Sequence, residues 1–242
     1  MTLPTGTKSV LAVIQSIARF VRSQQQNTCK ISKRWIFKGR VETETMLGII
    51  LAFPEKRWEN YTLPVADEPV VKFTERRLLT SKRIDEVMTV VRKDKLRTYS
   101  LHVSNPLPVA ARSRMEALLK ALPGEPFFLA EGNMPLIMPF LVNYMTGLFY
   151  ENDPEALIPV WKDGTAEVTH AVYEPNALEN AINAAMAEGY RSLSRITAFL
   201  DYEPLPIEEL AKRNPKVTLS FFRVRNSFDA RFAERTLKRV EK

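Results

Sequence analysis

Two histidines and a set of basic side chains are the groups best suited to chemistry in this sequence of 242 residues. His102 follows Lys95, Arg97 and Tyr99 closely, and a histidine beside cations can perform acid–base catalysis on a phosphodiester without a metal ion. The residues are therefore compatible with a metal-independent ribonuclease. The simpler interpretation of His102 is a surface side chain with ordinary hydrogen bonds, so we predict no catalytic residue.

Sequence motifs for cofactors and metals are missing. The sequence contains no GxGxxG, GxxxxGK[ST], HExxH or GxSxG motif. His102 and His170 are far apart, Cys29 is the only cysteine, and acidic pairs such as Asp153 with Glu155 have no accompanying motif. We therefore predict neither a metal site nor a bound cofactor.

Charge is distributed unevenly along the chain. Residues 1–122 carry 22 basic and 11 acidic side chains, residues 123–205 carry 3 and 12, and residues 206–242 carry 10 and 5. We therefore divide the chain into a basic N-terminal region, an acidic middle with an apolar helix, and a basic C-terminal strand and helix. Segregated positive charge favours polyanion binding. The predicted partner is nucleic acid, with duplex DNA favoured over RNA.

The candidate nucleic-acid contacts are basic or short polar side chains of the two basic regions. They are Lys33, Arg34, Lys38, Arg40, Lys72, Thr74, Arg76, Arg77, Lys95, Arg97, Thr98, Ser100, His102, Arg112, Arg114, Arg223 and Arg225. Trp35, Phe37 and Phe222 are interleaved with some of them, which favours stacking on unpaired bases. The same aromatic residues also fit amphipathic elements that face a core, and the sequence leaves both interpretations open.

Hydrophobic periodicity predicts a mixed α+β fold that is mainly helical with short strands. Strands are predicted over residues 70–76, 96–103, 167–173 and 217–224, and helices over 8–25, 81–94, 108–122, 133–149, 176–200 and from 227 onward. Residues 41–53 contain an apolar run that periodicity assigns to neither type. Because strands and helices do not alternate regularly, we do not expect a doubly wound sheet.

Residues 95–149 are predicted as a strand followed by two helices. This segment resembles the ribbon-helix-helix family of DNA-binding regulators, in which a two-stranded ribbon formed by a dimer enters the major groove. The resemblance implies that Thr98, Ser100 and His102 face DNA. It also implies that the two helices bury their apolar sides in a dimeric core.

A second candidate ribbon lies earlier in the chain. In the strand predicted over residues 70–76, Lys72, Thr74 and Arg76 share the outward face. Long basic side chains make this the chemically better set for reading bases. The sequence does not choose between the two ribbons.

Together these observations predict a sequence-specific DNA-binding transcriptional regulator that acts as a homodimer without catalysis. Dimerisation follows from the ribbon, because a single strand needs a partner. The alternatives are an RNA-binding or RNA-processing subunit of a ribonucleoprotein and a protein-interaction scaffold. We predict a cytoplasmic protein without a membrane span. The sequence has one cysteine, its N-terminal segment lacks the pattern of a signal peptide, and it has no unbroken apolar stretch of about 20 residues.

Overall fold

A seven-stranded sheet with helices on both faces organises the described part of the protein. The structure, a computed structural model, describes residues 44–55 and 59–240. Its strands are β1 (Met46–Ala52), β2 (Pro64–Val65), β3 (Glu68–Pro69), β4 (Ile84–Arg92), β5 (Pro106–Val109), β6 (Phe127–Glu131), β7 (Ala156–Val160), β8 (His170–Tyr173) and β9 (Glu203–Pro206). Its α-helices are α1 (Val70–Leu79), α2 (Leu96–Tyr99), α3 (Arg114–Leu119), α4 (Pro139–Asn152), α5 (Pro175–Ala187), α6 (Ile207–Arg213) and α7 (Ser227–Val240), with 3-10 helices at Lys93–Lys95, Leu193–Ala198 and Pro215–Phe221. The helix predicted over 8–25 and the candidate contacts Lys33, Arg34, Lys38 and Arg40 lie outside the described residues.

Strand β1 lies at the centre of the sheet and is apolar on both faces. It pairs in parallel with β4 on one side and with β6 on the other. All of its residues except Leu47 are buried. Parallel strands covered by helices on both faces have continuous apolar sequences instead of alternating ones. This explains why periodicity could not assign residues 41–53.

The strand order across the sheet is β5-β4-β1-β6-β8-β7-β9. Among these seven described strands only β8 runs antiparallel to the rest, since β5, β4, β1 and β6 pair in parallel and β9 is parallel to β7. The carboxyl ends of six strands and the amino end of β8 therefore meet at one edge, here called the carboxyl edge. Open α/β sheets bind ligands outside this edge.

The side chains of β1 alternate between two cores. Ile50 and Ala52 pack with helices α1 and α4 on one face. Ile49 and Leu51 pack with α3 and α5 on the other face. A third, smaller cluster contains Val224 and the inner face of α7. The two large cores fix both faces of the sheet, so its carboxyl edge is held by packed elements on either side.

The second candidate ribbon does not exist. Residues 70–79 form helix α1, in which Thr74 is fully buried and donates a hydrogen bond to the Val70 carbonyl oxygen at 3.3 Å. Lys72 and Arg76 both pair with the Glu68 carboxylate on the preceding strand. Residues 84–92, predicted as helix, form β4 instead. Apolar residues three or four positions apart are typical of a helix. A central parallel strand has apolar residues on both faces, so its sequence can show the same spacing.

The first ribbon is also wrong. Residues 96–99 form the short helix α2, and the Val103 amide donates to the Tyr99 carbonyl oxygen at 3.0 Å in a helical turn. Tyr99 and Val103 are buried in the core on the α1 side of the sheet, so the local chain coils to bury them on one side. Thr98, Ser100 and His102 therefore share no strand face.

The two helices predicted to follow this ribbon also differ from the observed elements. Residues 106–109 form strand β5, so the helix predicted from 108 starts only at Arg114. The helix predicted from Asn133 starts at Pro139. The ribbon-helix-helix resemblance and the mainly helical α+β fold are therefore wrong. The argument for a homodimer, which depended on the ribbon, is lost with them.

The predictions for the C-terminal part are closer to the structure. The helix from Ser227 is confirmed as α7, and the long helix from residue 176 is confirmed up to Ala187, where α5 ends. Residues 217–224 form part of a 3-10 helix and an extended segment, not a strand. Within residues 44–55 and 59–240 no helix combines the length and the hydropathy needed to cross a bilayer. The division of the chain into three regions by charge stays a prediction.

Candidate functional site at the carboxyl edge

Two pockets open at the carboxyl edge of the sheet. The smaller has a volume of about 170 Å³ and is lined by Glu59, Arg114, Glu131, Asn133, Arg223 and Arg225. The larger has a volume of about 660 Å³ and is lined by residues that follow β4 and β5. We call them the arginine pocket and the outer pocket. Their position agrees with the general location of ligand sites in parallel sheets.

Glu131, the last residue of β6, is the centre of the arginine pocket. Its Oε1 atom accepts from the Tyr61 hydroxyl at 3.1 Å and lies 3.0 Å from Nη2 of Arg114. Its Oε2 atom accepts from Nε of Arg223 at 2.8 Å. Both carboxylate oxygens are thus engaged, and the side chain is only 9% exposed.

Arg114 connects Glu131 to the segment after β1. Its Nη2 atom lies 3.0 Å from Oε2 of Glu59 and also contacts the Tyr61 hydroxyl. Its Nε atom donates to the Phe53 carbonyl oxygen at 3.1 Å, and its backbone N–H donates to Glu55 at 2.7 Å. One arginine therefore connects Phe53, Glu55, Glu59 and Tyr61 to the start of α3.

Arg223 connects Glu131 to the start of β8. Its Nη2 atom donates to Oε2 of Glu167 at 2.7 Å and to the Thr169 hydroxyl at 3.0 Å. The other oxygen of Glu167 accepts from Nε1 of Trp161 at 2.7 Å. Three carboxylates and two guanidinium groups thus alternate in one chain of contacts, Glu59–Arg114–Glu131–Arg223–Glu167, which we call the ion-pair chain.

The charges of the ion-pair chain shift each other's pKa values. Burial alone would raise the pKa of the Glu131 carboxyl, but Arg114 and Arg223 more than offset this, so its pKa lies below the ordinary value. Burial lowers the pKa of the two arginines, and the adjacent anionic groups more than reverse that shift. Burial, together with Glu131, raises the pKa of Tyr61 far above its usual range. The carboxylate is therefore charged and the phenol neutral at pH 7.

Residues 132 and 133 place a polar side chain in the pocket just after β6. The Gly132 amide donates to the Leu51 carbonyl oxygen at 3.1 Å, so the backbone continues the sheet contact past the strand. Asn133 then exchanges backbone and side-chain hydrogen bonds with Val224, at 2.9 and 3.2 Å. Its Oδ1 atom is buried and has no hydrogen-bond partner among the described residues. A buried acceptor without a partner marks a position where a ligand or water can donate.

The outer pocket lies over the ends of β4 and β5 and is rich in cations. Arg92 pairs with Asp94 at 3.0 Å, and its guanidinium lies 5.9 Å from the centre of the Phe53 ring. Lys93 and Arg112 are exposed and line the same pocket. Glu116 receives the Arg112 amide at 2.8 Å and pairs with Lys120 at 2.7 Å. The pocket therefore offers exposed cations, of which Arg92 packs against the buried Phe53 ring.

Four of the candidate contacts predicted from sequence lie at this edge. Arg114, Arg223 and Arg225 line the arginine pocket, and Arg112 lines the outer pocket. The remaining described candidates line neither of these pockets: Lys72, Thr74, Arg76 and Arg77 are on α1, and Lys95, Arg97, Thr98, Ser100 and His102 are on or beside α2. His102 is close in sequence to other predicted contacts, but it lies in neither pocket.

Sequence reasoning missed the acidic half of the site. Glu131 directly follows the apolar residues 127–130, and Arg92 directly follows the apolar residues Val90 and Val91 of β4. A polar residue at the end of a buried run is the available signal, because carboxyl ends of parallel strands share one edge. That signal could not be used while residues 81–94 were predicted as a helix.

Comparison with known proteins places this geometry in a functional context. The chain is 29% identical over 192 residues to a probable molybdenum cofactor guanylyltransferase of Thermococcus gammatolerans, covering 76% of this chain and 96% of that protein. It is 26% identical over 175 residues to the probable molybdenum cofactor guanylyltransferase of Thermococcus sibiricus, covering 67% and 88%. No protein-family model matches the chain.

Solved structures show the same fold. The molybdopterin-guanine dinucleotide biosynthesis protein A of Archaeoglobus fulgidus superposes with a TM-score of 0.66 at 18% identity, over 80% of this chain and all of that one. The 4-diphosphocytidyl-2C-methyl-D-erythritol synthase of Anaerococcus prevotii superposes with a TM-score of 0.59 at 15% identity, over 82% and 98%. This chain shares the Rossmann-like fold of these two proteins.

These similarities overturn the function predicted from sequence. The relatives are guanylyltransferases and not DNA-binding regulators, so the predicted regulator, its lack of catalysis and its nucleic-acid partner are wrong. The alternatives of a ribonucleoprotein subunit and a scaffold fit no better. The error came from the uneven distribution of charge, because neighbouring basic side chains attract anions without specifying which anion they bind.

Proposed function

We propose that this protein is a nucleotidyltransferase that transfers a guanylyl unit to a molybdenum-cofactor acceptor. The observation that carries the proposal is the similarity to guanylyltransferases over 96% of a relative's length. The cation-rich outer pocket, placed where open α/β sheets bind ligands, supports it. We also retain the predicted cytoplasmic location as part of the proposal.

The proposed reaction breaks one bond and forms one. An oxygen of the acceptor's phosphate attacks the α-phosphorus of the nucleoside triphosphate, the bond between this phosphorus and the bridging oxygen of the β-phosphate breaks, and diphosphate leaves with the electron pair. A phosphate oxygen is already ionised at neutral pH, so the step needs no base to remove a proton. Positioning and charge stabilisation therefore do most of the work.

The outer pocket is the proposed nucleotide site. Its volume of about 660 Å³ lies within the range of about 300–1,000 Å³ for small-molecule sites. Lys93 and Arg112 are exposed cations that can contact phosphate oxygens, and Arg112 lies two residues before Arg114. This sequence brings the outer pocket next to the arginine pocket, where the ion-pair chain fixes the neighbouring backbone.

Phosphoryl transfer commonly uses a divalent cation, so the donor set of the arginine pocket has to be tested for one. Mg²⁺ binds through carboxylate oxygens and phosphates in octahedral geometry. Here the carboxylates of Glu59, Glu131 and Glu167 all pair with guanidinium groups, and no group of three potential metal ligands occurs in the part of the chain that the structure describes. The carboxylates of the arginine pocket do not fit a protein-bound cation, and we derive no step through one.

The decisive experiment is a transfer assay with the full chain. GTP labelled at its α-phosphate is incubated with the protein and with cofactor released from a molybdenum enzyme, and the label is followed by chromatography. We expect label in a larger product with GTP and little with CTP or ATP. Equal transfer from CTP would reject the guanylyl assignment, and no transfer from any nucleotide would reject the proposed function.

A variant of the outer pocket tests the nucleotide site. Replacing Lys93 and Arg112 together by alanine should weaken GTP binding about a hundredfold, because each charged contact is worth about 1.5–3 kcal/mol. Isothermal titration calorimetry measures the change. Lys212→Ala is the matched control, since Lys212 is exposed on α6 and lines neither pocket. Unchanged binding in the double variant would place the nucleotide elsewhere.

A further inference from the structure

The arginine pocket contains acidic side chains, but their oxygens already accept hydrogen bonds. The Glu131 carboxylate contacts the Tyr61 hydroxyl and the guanidinium groups of Arg114 and Arg223. The Glu167 carboxylate accepts hydrogen bonds from Trp161 and Arg223. Oε2 of Glu59 receives the Glu55 amide at 2.7 Å in addition to Arg114. A cation entering this pocket would compete with contacts of 2.7 to 3.1 Å that are already formed.

Displacing those contacts has a second consequence for the guanidinium groups. The side chains of Arg114 and Arg223 are only 16% and 18% exposed. If a cation took their carboxylates, two charged arginines would stay buried without counter-ions beside a further positive charge. Burying unpaired charge is strongly unfavourable. The carboxylates of the pocket are therefore more stable when paired with the arginines than when bound to a cation.

The groups left to meet a ligand are a cation and a neutral acceptor. Arg225 is exposed and lines the pocket, and among residues 44–55 and 59–240 no hydrogen bond or ion pair holds its guanidinium. Asn133 contributes Oδ1, the buried acceptor without a partner. Guanidinium groups bind phosphate oxygens in bidentate geometry. An amide oxygen is a weaker ligand than a carboxylate for a hard cation, but it accepts readily from a hydroxyl or an amine.

We propose that the arginine pocket binds a phosphate of the nucleotide whose remainder occupies the outer pocket, directly through Arg225, with Asn133 accepting a donor group of the same nucleotide, and without a divalent cation held by the carboxylates of the arginine pocket. The proposal rests on the proposed nucleotidyl transfer for the identity of the substrate. Any divalent cation in the reaction then arrives and leaves with the nucleotide. Arg225 supplies the positive charge that a metal ion would otherwise bring to this position.

Manganese binding tests the proposal without any nucleotide. Mn²⁺ is titrated into the purified full chain, and free Mn²⁺ is followed by electron paramagnetic resonance. We expect no site with a dissociation constant below about 1 mM, the range of weak carboxylate sites. A site of micromolar affinity that is lost in Glu131→Gln would overturn the proposal, whatever the outcome of the transfer assay.

Calorimetry with GTP provides the second test and separates the two proposals. We expect the affinity in EDTA to lie within about threefold of that in Mg²⁺, and Arg225→Ala to weaken both about tenfold, as for one charge-assisted contact. Arg235→Ala is the matched control, because Arg235 is exposed on α7 and lines neither pocket. Binding that requires Mg²⁺, or that Arg225→Ala leaves unchanged, contradicts the direct contact while leaving nucleotidyl transfer intact. Absence of GTP binding in both buffers contradicts nucleotidyl transfer itself.

Discussion

Glu131 shows how a single side chain decides the character of the candidate site. It is 9% exposed and accepts hydrogen bonds from two arginines and a tyrosine. A carboxylate in that environment stays ionised because its partners supply more stabilisation than burial removes. The same partners make its oxygens unavailable to a metal ion. The charge of Glu131 therefore stabilises the local structure, and in our proposal the neighbouring Arg225 and Asn133 contact the ligand.

Removing one partner of this carboxylate should be costly. Arg223→Ala leaves Glu131 and Glu167 without their shared guanidinium, and we expect the free energy of unfolding to fall by about 3–5 kcal/mol, as for other broken buried pairs. Urea denaturation followed by circular dichroism measures the loss. Lys212→Ala, which breaks an exposed pair with Glu209, should change stability by less than about 1 kcal/mol. Equal losses in the two variants would show that the ion-pair chain does not stabilise the fold.

At the scale of elements, β1 and β6 approach closely where both strands end at the site. A methyl group on Gly132 would meet the Ala52 Cβ at 3.1 Å and the Tyr61 ring at 3.2 Å. The missing side chain therefore allows the segment after β6 to lie against the segment after β1. This contact brings the Tyr61 hydroxyl to Glu131, so one backbone position couples strand packing to the geometry of the pocket.

Gly132→Ala tests this coupling. The added methyl group should lower the free energy of unfolding by about 1–3 kcal/mol, because overpacking forces neighbouring atoms to shift. It should also weaken GTP binding, since Tyr61 moves with its contact to Glu131. Gly124→Ala is the matched control, because a Cβ there meets nothing within 4 Å. If both variants unfold at the same urea concentration, the close approach is not a constraint.

The elements that sequence predicted correctly are those with one exposed face. α7 alternates buried Ala233 and Leu237 with exposed basic residues, which is the pattern of an amphipathic helix. Several elements that sequence missed are buried on both faces or too short to show a period, whereas helix α1 was mistaken for a strand because its buried Val71 and Phe73 also alternate with polar residues. Strand β4, with Ile84, Val87 and Val90 buried, satisfies helix and strand spacing equally, and only its pairing with β1 and β5 decides between them.

The whole molecule brings together residues that are far apart in sequence, and this limited what could be predicted of the site. Arg114 and Arg223 were among the candidate contacts because of their charge, without their acidic partners. Their meeting at Glu131 depends on the strand order, in which β6 lies beside β1 and β8. No local pattern encodes that order. Charge alone selected these cations as candidates, and the sheet topology determines which side chains they meet.

The dependence of global stability on pH follows from a histidine inside the molecule. His170 is fully buried between the rings of Phe128 and Phe221, and burial lowers its pKa to about 3. The unfolded chain gains a proton near pH 6.5, whereas the folded chain does not until far lower pH. The contribution of neutral, buried His170 to the free energy of unfolding is therefore fully present above pH 6.5. It falls as the pH decreases toward 3, by up to about 1.4 kcal/mol per pH unit.

Denaturation series at pH 7, 6 and 5 measure this slope. His170→Gln should flatten the decline between pH 6 and 5, because the replacement carries no proton-binding ring. His102→Gln is the matched control, since His102 lies in a turn and is only partly buried, and it should keep the slope of the unmodified chain. A slope that persists in His170→Gln would assign the pH dependence to other groups.

The ion-pair chain also sets an order of events during synthesis of the protein. Arg223 reaches back 92 residues to Glu131, and the Val224 carbonyl oxygen 91 residues to Asn133. Strands β1, β4, β5 and β6 leave the ribosome long before these partners, and earlier parts of a chain generally begin to fold first. A nascent chain of this protein therefore holds a sheet whose pocket is still open to water. The arginine pocket is complete only after translation has passed residue 225.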